Sequence, residues 1–274
     1  MHARPLITSM SNARLKELRR QAARPGRARG TVLVEGYRLL LRAVEAAAAV
    51  ETVYVAPTLF AGPDAGALVD RAERQGARVV ELGRSAFAAV SSQTRPDGLL
   101  AVVRRPSTLL ATLQLDGVPL IVVCEAVERP GNLGTIVRTA TAAGATALVA
   151  CDPQVDVFQP RTVSASVGGV FRLPMAVAPT ETAIAWLRER GIATAVATPN
   201  GAVEPWAAVL CGPTALVLGS EKRGLSRWWL DAADVRIGIP MPGGGPDSLN
   251  VGVAAGVLLV EAARQRLAAR DTAG

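Results

Sequence analysis

Three stretches of this chain put polar side chains and glycines together at the ends of apolar runs, where chemistry is possible. The first follows Leu120–Cys124 and reads Arg129-Pro130-Gly131-Asn132-Leu133-Gly134-Thr135-Ile136-Val137-Arg138-Thr139-Ala140. Asn132 is a candidate helix N-cap there, and Arg138 lies six residues on, inside the helix. Six residues turn a helix through about 600°, so helical geometry alone does not place the two side chains on one face. Taken alone, Arg138 reads equally well as a surface charge. The second stretch follows Ala215–Leu218 and reads Leu218-Gly219-Ser220-Glu221-Lys222-Arg223-Gly224-Leu225. Glycine at a strand's carboxyl end lets a ligand approach the backbone, and ligands of open α/β sheets bind there. Glu221 then sits in the loop beyond the strand; a solvated Glu-Lys-Arg turn is the plainer alternative.

The third stretch is the most distinctive, running from Ile239-Pro240-Met241 through a Gly- and Pro-rich loop to Ser248-Leu249-Asn250-Val251. Ser248 is a good N-cap for the long apolar helix that follows, with Asn250 in its first turn. Free backbone N–H groups at such a terminus can hold a polar or anionic group. Gly252 and Gly256, four apart, allow another helix to pack closely; ordinary packing on a sheet is the alternative.

Composition excludes several other chemistries. The single histidine is His2, at the very start of the chain, so a Ser-His-Asp triad or a histidine-ligated metal has no candidate in the body. The three cysteines, Cys124, Cys151 and Cys211, are far apart and outside any CxxC spacing. That speaks against a disulfide framework or a zinc site and fits a reducing cytoplasm. The longest uncharged run, Pro205–Ser220, is 16 residues and is broken by Gly212 and Pro213, too short for a membrane span of about 20. No apolar segment behind Met1 reads as a secretory signal. Neither GxGxxG nor GxxxxGK(S/T) occurs between a strand and a helix, so a dinucleotide fold or a P-loop has no support.

The elements that must position these residues alternate along the chain. Strand-like runs at Thr31–Glu35, Thr52–Ala56, Arg78–Leu82 and Leu99–Val103 are interleaved with helical patterns at Asn12–Ala23, Tyr37–Ala48 and Ala65–Gln75. After Arg104–Gly117 the alternation resumes. Strands are expected at Leu120–Cys124, Ala147–Cys151, Met175–Ala178, Ala193–Ala197, Ala215–Leu218 and Val235–Ile239, and helices at Leu133–Ala143, Thr182–Arg190 and Leu249–Arg266. Such alternation argues an α/β fold with mainly parallel sheets. Half of the 274 residues are apolar and 19% are charged, enough for packed cores. The break at Pro106 gives an N-terminal domain over residues 1–105, a linker over 106–117 and a second domain over 118–274.

Charge is concentrated at the front. Residues 1–42 carry ten basic and two acidic side chains, a net +8, while the whole chain is +7, so the remaining residues sum to −1. A local basic segment is the footprint of a phosphate-backbone binder, with a solvated arginine-rich helix as the alternative. In Asn12–Ala23 only Leu15 and Leu18 form an apolar seam, so this helix is expected to bury little and to present Arg14, Lys16, Arg19 and Arg20, with Arg27 and Arg29 just beyond.

Taken in order, the three stretches resemble the SpoU (TrmH-like) family of the SPOUT superfamily, S-adenosylmethionine-dependent RNA ribose 2'-O-methyltransferases. Asn132-x-Gly134-x3-Arg138-Thr139-Ala140 is similar to its first motif and Leu218-Gly219-x-Glu221-x2-Gly224-Leu225 to its second. Ile239-Pro240-Met241 with Ser248-Leu249-Asn250-Val251 and Ala254 is similar to its third. The match spans about residues 118–267. Val34-Glu35-Gly36 followed by a helix resembles, less specifically, the small L30e-like RNA-binding domain that many members carry. The loop over 242–247 is richer in glycine and proline than the family pattern, without removing a matched residue.

The resemblance implies a small L30e-like α/β domain followed by a SPOUT α/β domain with a C-terminal trefoil knot, an exception to the rule that chains avoid knots. It implies a homodimer whose active site is completed across the interface, acting on RNA in the cytoplasm, with no metal, DNA or membrane partner. It carries catalytic and substrate-organising roles onto Asn132, Arg138, Glu221, Ser248 and Asn250. It places S-adenosylmethionine against Thr198, Leu218, Gly219, Ile239, Met241, Ser248 and Leu249, largely by backbone contacts. The implied reaction is in-line attack of a ribose 2'-hydroxyl on the sulfonium methyl, which needs alignment and loss of the hydroxyl proton. The family gives the base role to the arginine here numbered 138. A guanidinium rarely deprotonates, so clamping a phosphate and stabilising oxyanion charge is the other role open to it. Structured ribosomal RNA, 23S, is favoured as substrate over transfer RNA. A non-catalytic RNA-binding protein and a nucleotide-dependent metabolic enzyme are the rival classes. The complete set of motif residues opposes the first, and the basic front segment is unexplained by the second.

Overall fold

The computed structural model describes residues 4–23, 30–243 and 248–271. The chain divides into two compact units, Met1–Pro106 with Phe158–Arg172, and Ser107–Val157 with Leu173–Gly274. The first unit contains β1 (Leu6–Ile7), α1 (Ala13–Ala23), β2 (Thr31–Glu35), α2 (Tyr37–Glu45), β3 (Val50–Val55), α3 (Asp64–Arg74), β4 (Arg78–Leu82), α4 (Arg84–Ala88) and β5 (Leu99–Arg104). Its sheet has the order β1-β4-β3-β5-β2. β4 runs parallel to β1 and β3, whereas β5 is antiparallel to β3 and β2.

α1 starts after Asn12, whose Oδ1 accepts the Arg14 N–H at 2.9 Å, an N-cap bond. The expectation that α1 buries little needs correction. Leu15 and Leu18, three apart and so on one helix face, are wholly buried in a core with Ile7, Tyr54, Leu82, Phe87 and Leu100. Each such leucine contributes roughly 1.5–3 kcal/mol. Arg14, Lys16, Arg19 and Arg20 remain exposed on the other sides. At the end of β2, Glu35 accepts the Ser92 N–H at 2.9 Å and the Ser91 hydroxyl. Gly36, at φ 98°, then turns the chain into α2, where Asp97 Oδ2 accepts the Tyr37 N–H at 2.6 Å.

The second unit runs β6 (Leu120–Glu125), α5 (Pro130–Ala142), β7 (Ala147–Cys151), then α6 (Pro160–Ala165, grouped with the first unit), β8 (Met175–Ala178), α7 (Thr180–Glu189) and β9 (Ala193–Ala197). It continues with β10 (Thr214–Leu218), α8 (Arg227–Asp231), β11 (Val235–Ile237) and α9 (Val251–Asp271). All six strands are parallel, in the order β11-β9-β10-β6-β7-β8. β6, β7 and β10 are buried along their whole length, which explains why they read as unbroken apolar runs. Val123, Val149 and Val217 pack with Leu187 of α7 and Trp229 of α8 on one face. α9 packs on α5 and β10, and Arg266 near its end donates to the carbonyls of Val118, Pro119, Leu210 and Gly212. Among the described residues, no helix is long and apolar enough to cross a membrane.

The predicted strand Val235–Ile239 stops at Ile237, because the next backbone bond goes elsewhere. The Gly238 N–H donates to Val203 O at 2.9 Å, and Pro240 has no N–H to offer. The sheet order also fixes where a ligand belongs. From β6 the chain passes through α5 to β7 on one side, and from β10 through α8 to β11 on the other. β6 and β10 are neighbours, so the crevice beyond their carboxyl ends is the switch point of the sheet, where open α/β sheets bind ligands.

Candidate active site

The connections after β6 and β10 carry Asn132 and Glu221, and Asn250 stands just ahead of α9. α5 opens one turn earlier than Asn132. Arg129 is its N-cap and Pro130 its first residue, as proline's fixed φ and missing N–H favour. Asn132 is therefore not the cap that its residue type suggested. It sits in the first turn with its side chain free to reach across, and its Nδ2 donates to Glu221 Oε1. Its Oδ1 accepts from Asn250 Nδ2 at 3.3 Å. The Glu128 N–H donates to Glu221 Oε2 at 3.4 Å, so both carboxylate oxygens are engaged. The partners also fix the amide orientation, since a carboxylate can only accept from Nδ2.

The cap of α9 also differs from expectation. Asn250, rather than Ser248, holds the helix start, its Oδ1 accepting the Gly252 N–H at 3.0 Å. An asparagine one residue ahead of the helix reaches that N–H directly, whereas Ser248 lies two residues further out and is exposed. Gly252 meets α5. A Cβ there would lie 3.3 Å from Thr135 Cγ2 and 3.2 Å from Asn250 Oδ1, while at Gly256 nothing lies within 4 Å. The close approach is thus helix on helix, and at the first glycine only.

Arg138 is exposed on α5 and, among the described residues, has no hydrogen bond to the Asn132–Glu221–Asn250 chain. Six residues place it about 9 Å further along the helix axis and about 240° around it from Asn132. One chain brings together three of the five expected catalytic residues and leaves Arg138 and Ser248 outside the hydrogen-bonded set.

The expected cofactor contacts assemble at the same end of the sheet. β9 lies between β10 and β11, pairing Val196 with Val217 and Ala197 with Ile237, so Thr198, Leu218 and the residues after Ile237 emerge at one level. Two glycines let these exits crowd together. A Cβ on Gly219 would be 2.4 Å from the Gly224 carbonyl carbon, and one on Gly201 would be 2.1 Å from Gly238 N. Leu218 is buried, Gly219, Ile239 and Leu249 are half-buried, and Met241 is exposed. Backbone edges lined by Leu218, Ile239 and Leu249 suit an uncharged purine, and the Glu221 carboxylate on the same turn suits a nearby sulfonium cation, so the residues fit S-adenosylmethionine. Among the described residues, no group of His, Cys, Asp and Glu could hold a metal ion.

Sequence reasoning missed Glu128 and Glu125. Glu128 pairs with Lys222 at 3.0 Å, tying the β6 and β10 connections together, and Glu125 is a carboxylate only 6% exposed at the end of β6. A charged residue closing an apolar run was the available signal for Glu125. Beside it, burial first and then the nearby Glu221 charge push the Cys124 thiol up to about 12, so it stays protonated and uninvolved. Arg27 and Arg29, expected to bind RNA, lie outside the described residues.

Residues 119–260 match the SpoU rRNA Methylase family, and the chain belongs to that family. Residues 12–101 match the MRM3-like substrate binding domain. Among relatives, the chain is 29% identical over 256 residues to the 23S rRNA (guanosine(2553)-2'-O)-methyltransferase RlmP of Bacillus subtilis (strain 168), covering 92% of this chain and 97% of that one. It is 33% identical over 184 residues to the 23S rRNA (uridine(2479)-2'-O)-methyltransferase of Streptomyces viridochromogenes, covering 64% and 63% of the two. Among solved structures, the AdoMet-bound rRNA methyltransferase from Sinorhizobium meliloti superposes with a TM-score of 0.83 at 27% identity, over 94% of this chain and 97% of that one.

Proposed function

We propose that this chain transfers the methyl group of S-adenosylmethionine to a ribose 2'-hydroxyl of 23S ribosomal RNA. One observation carries the reading: the Asn250–Asn132–Glu221 hydrogen-bonded chain joins all three motif segments at the sheet's switch point, beside the backbone-lined exits of β9, β10 and β11. Relatives named for 23S rRNA support the substrate, and their different target nucleotides, a guanosine and a uridine, leave the nucleotide itself open.

When bound, S-adenosylmethionine supplies an already activated methyl group. The chain's own task is to align the attacking hydroxyl and to manage its proton. Glu221 holds Asn132, Asn132 holds Asn250, and Asn250 fixes the start of α9, so one network sets the walls of the site. Arg138 acts in one of two forms: as the neutral guanidine it takes the hydroxyl proton and becomes the cation, and as the guanidinium it clamps a phosphate and the developing oxyanion. Because Arg138 stands apart from the network in its own chain, the reading includes a homodimer in which Arg138 of the partner subunit completes each site. α9 offers a surface for such pairing: Val253, Val257 and Val260 are exposed at helical spacing. The trefoil knot belongs to the same reading, as does a cytoplasmic setting, which the free, buried Cys124 and Cys151 suit. Arg14, Lys16 and Arg19 on α1 would meet the RNA backbone.

The test is transfer of labelled methyl from S-adenosylmethionine to total ribosomal RNA and, separately, to total tRNA. Label in the ribosomal pool, lost with Arg138→Ala while RNA binding persists, supports the reading. Label in tRNA alone would move the substrate. RNA binding without cofactor binding would make the chain a non-catalytic binder.

A further inference from the structure

Glu125 is the last residue of β6, and its carboxylate is buried. A buried carboxylate persists only when its oxygens are well paired. Here Oε2 accepts the backbone N–H of Ser226 at 2.7 Å and Oε1 accepts the Thr180 hydroxyl at 3.1 Å. Thr180 is the first residue of α7, and Ser226 is the N-cap of α8. Ser226 also closes the turn that begins after β10 and carries Glu221. The neck of that turn is pinned by the reciprocal backbone bonds of Ser220 and Gly224, at 3.1 and 2.9 Å.

Two carboxylates therefore cross between neighbouring connections. Glu221 leaves the β10 turn and engages the Glu128 N–H and Asn132 beyond β6. Glu125 leaves the end of β6 and engages the Ser226 N–H at the far end of the β10 turn. The second tie holds the turn that the first depends on. We propose that Glu125 is a positioning residue, fixing the β10 turn so that the Glu221 carboxylate meets Asn132; this rests on the methyltransferase reading of the site.

The bonding pattern gives variants that separate positioning from mere support. In Glu125→Gln, the amide oxygen can still accept the Ser226 N–H, and its NH2 can donate to the Thr180 hydroxyl. Glu125→Leu keeps a similar volume and removes both acceptors. Ser226→Pro removes the N–H from the other side, at a residue whose φ of −66° is already proline's, without altering the Glu125 side chain itself. Methyl transfer to ribosomal RNA is measured for each, alone and combined with Glu221→Gln. Amide hydrogen exchange over residues 219–225 is followed in parallel, with urea unfolding as the check on the fold.

Glu125→Leu and Ser226→Pro are expected to lower kcat at least tenfold and to speed exchange in the turn, with cooperative urea unfolding retained. Glu125→Gln is expected to restore most of the turnover. In the Glu221→Gln background the losses should shrink to under about threefold, because the tie acts through Glu221. Equal losses in both backgrounds, or protected exchange in Glu125→Leu and Ser226→Pro, would overturn the proposal. Should the wild-type chain itself transfer no methyl, the functional reading fails, and the exchange data still decide whether Glu125 holds the turn.

Discussion

Asn132 uses its amide twice, donating to Glu221 and accepting from Asn250, so neither neighbour can shift without disturbing the other. Such networks rigidify a site because every polar atom has its partner. Arg138 has no such bond to the network among the described residues, and in the proposed site it would act through its charge and the planar fork of its guanidinium. Arg138→Lys keeps the charge and loses the fork. It is expected to lose most of the turnover, roughly tenfold to a hundredfold, with cofactor affinity unchanged; steady-state kinetics and calorimetric titration of the cofactor check this, and near-native turnover would contradict it. As polar residues worth singling out, Asn132, Glu221 and Asn250 were legible in the sequence by type and spacing. Their meeting was not. It depends on β6 lying beside β10, a pairing between residues about ninety positions apart that no local pattern encodes. For the same reason, Asn132 and Ser248 looked like caps while Arg129 and Asn250 occupy those places: several residues near a helix start can serve, and tertiary partners choose among them.

At the scale of elements, most of the alternation was readable because buried parallel strands and amphipathic helices leave strong patterns. The short pieces β1, α4, α6 and α8 were missed, having too few residues to show a period. α1 shows the limit from another side. Its Leu15-Leu18 seam was visible, but the depth of its burial against Phe87 and Leu100 comes from non-local packing. That docking leaves Arg14, Lys16 and Arg19 facing solvent. Replacing the three with alanine is expected to weaken RNA binding and to flatten its log–log salt dependence by about 0.7–0.9 for every phosphate that the variant no longer neutralises, without altering cofactor affinity. Binding titrations across a salt series decide it, and an unchanged slope would remove α1 from the RNA surface. The two glycines of α9 are expected to part company as well. Gly256→Ala meets open space and should add up to about 1 kcal/mol of helix stability. Gly252→Val presses on Thr135 and on the Asn250 carboxamide and should cost about 1–3 kcal/mol, together with activity. Urea unfolding of both variants, read beside turnover, separates the cases.

The whole molecule joins a unit with exposed basic side chains to a unit with a switch-point crevice, a division matched by a substrate binding domain and a methylase family. In the proposed dimer, each active site takes its asparagine–glutamate network from one chain and Arg138 from the other. Co-expressed Asn132→Ala and Arg138→Ala chains should then complement. Half of the dimers would be mixed, each with one intact site of two, giving about a quarter of wild-type activity from two inactive parents. Activity no higher than that of either parent would place the whole site within one chain.

The atom that receives the methyl group can be identified directly. Ribosomal RNA labelled by the wild-type chain from S-adenosylmethionine would be digested to nucleosides and analysed by mass spectrometry. A labelled nucleoside whose extra methyl stays with the ribose after the base is cleaved off, and which disappears with Arg138→Ala, is the expected result. A methyl that leaves with the base, or no transfer to RNA despite cofactor binding, would contradict the assignment.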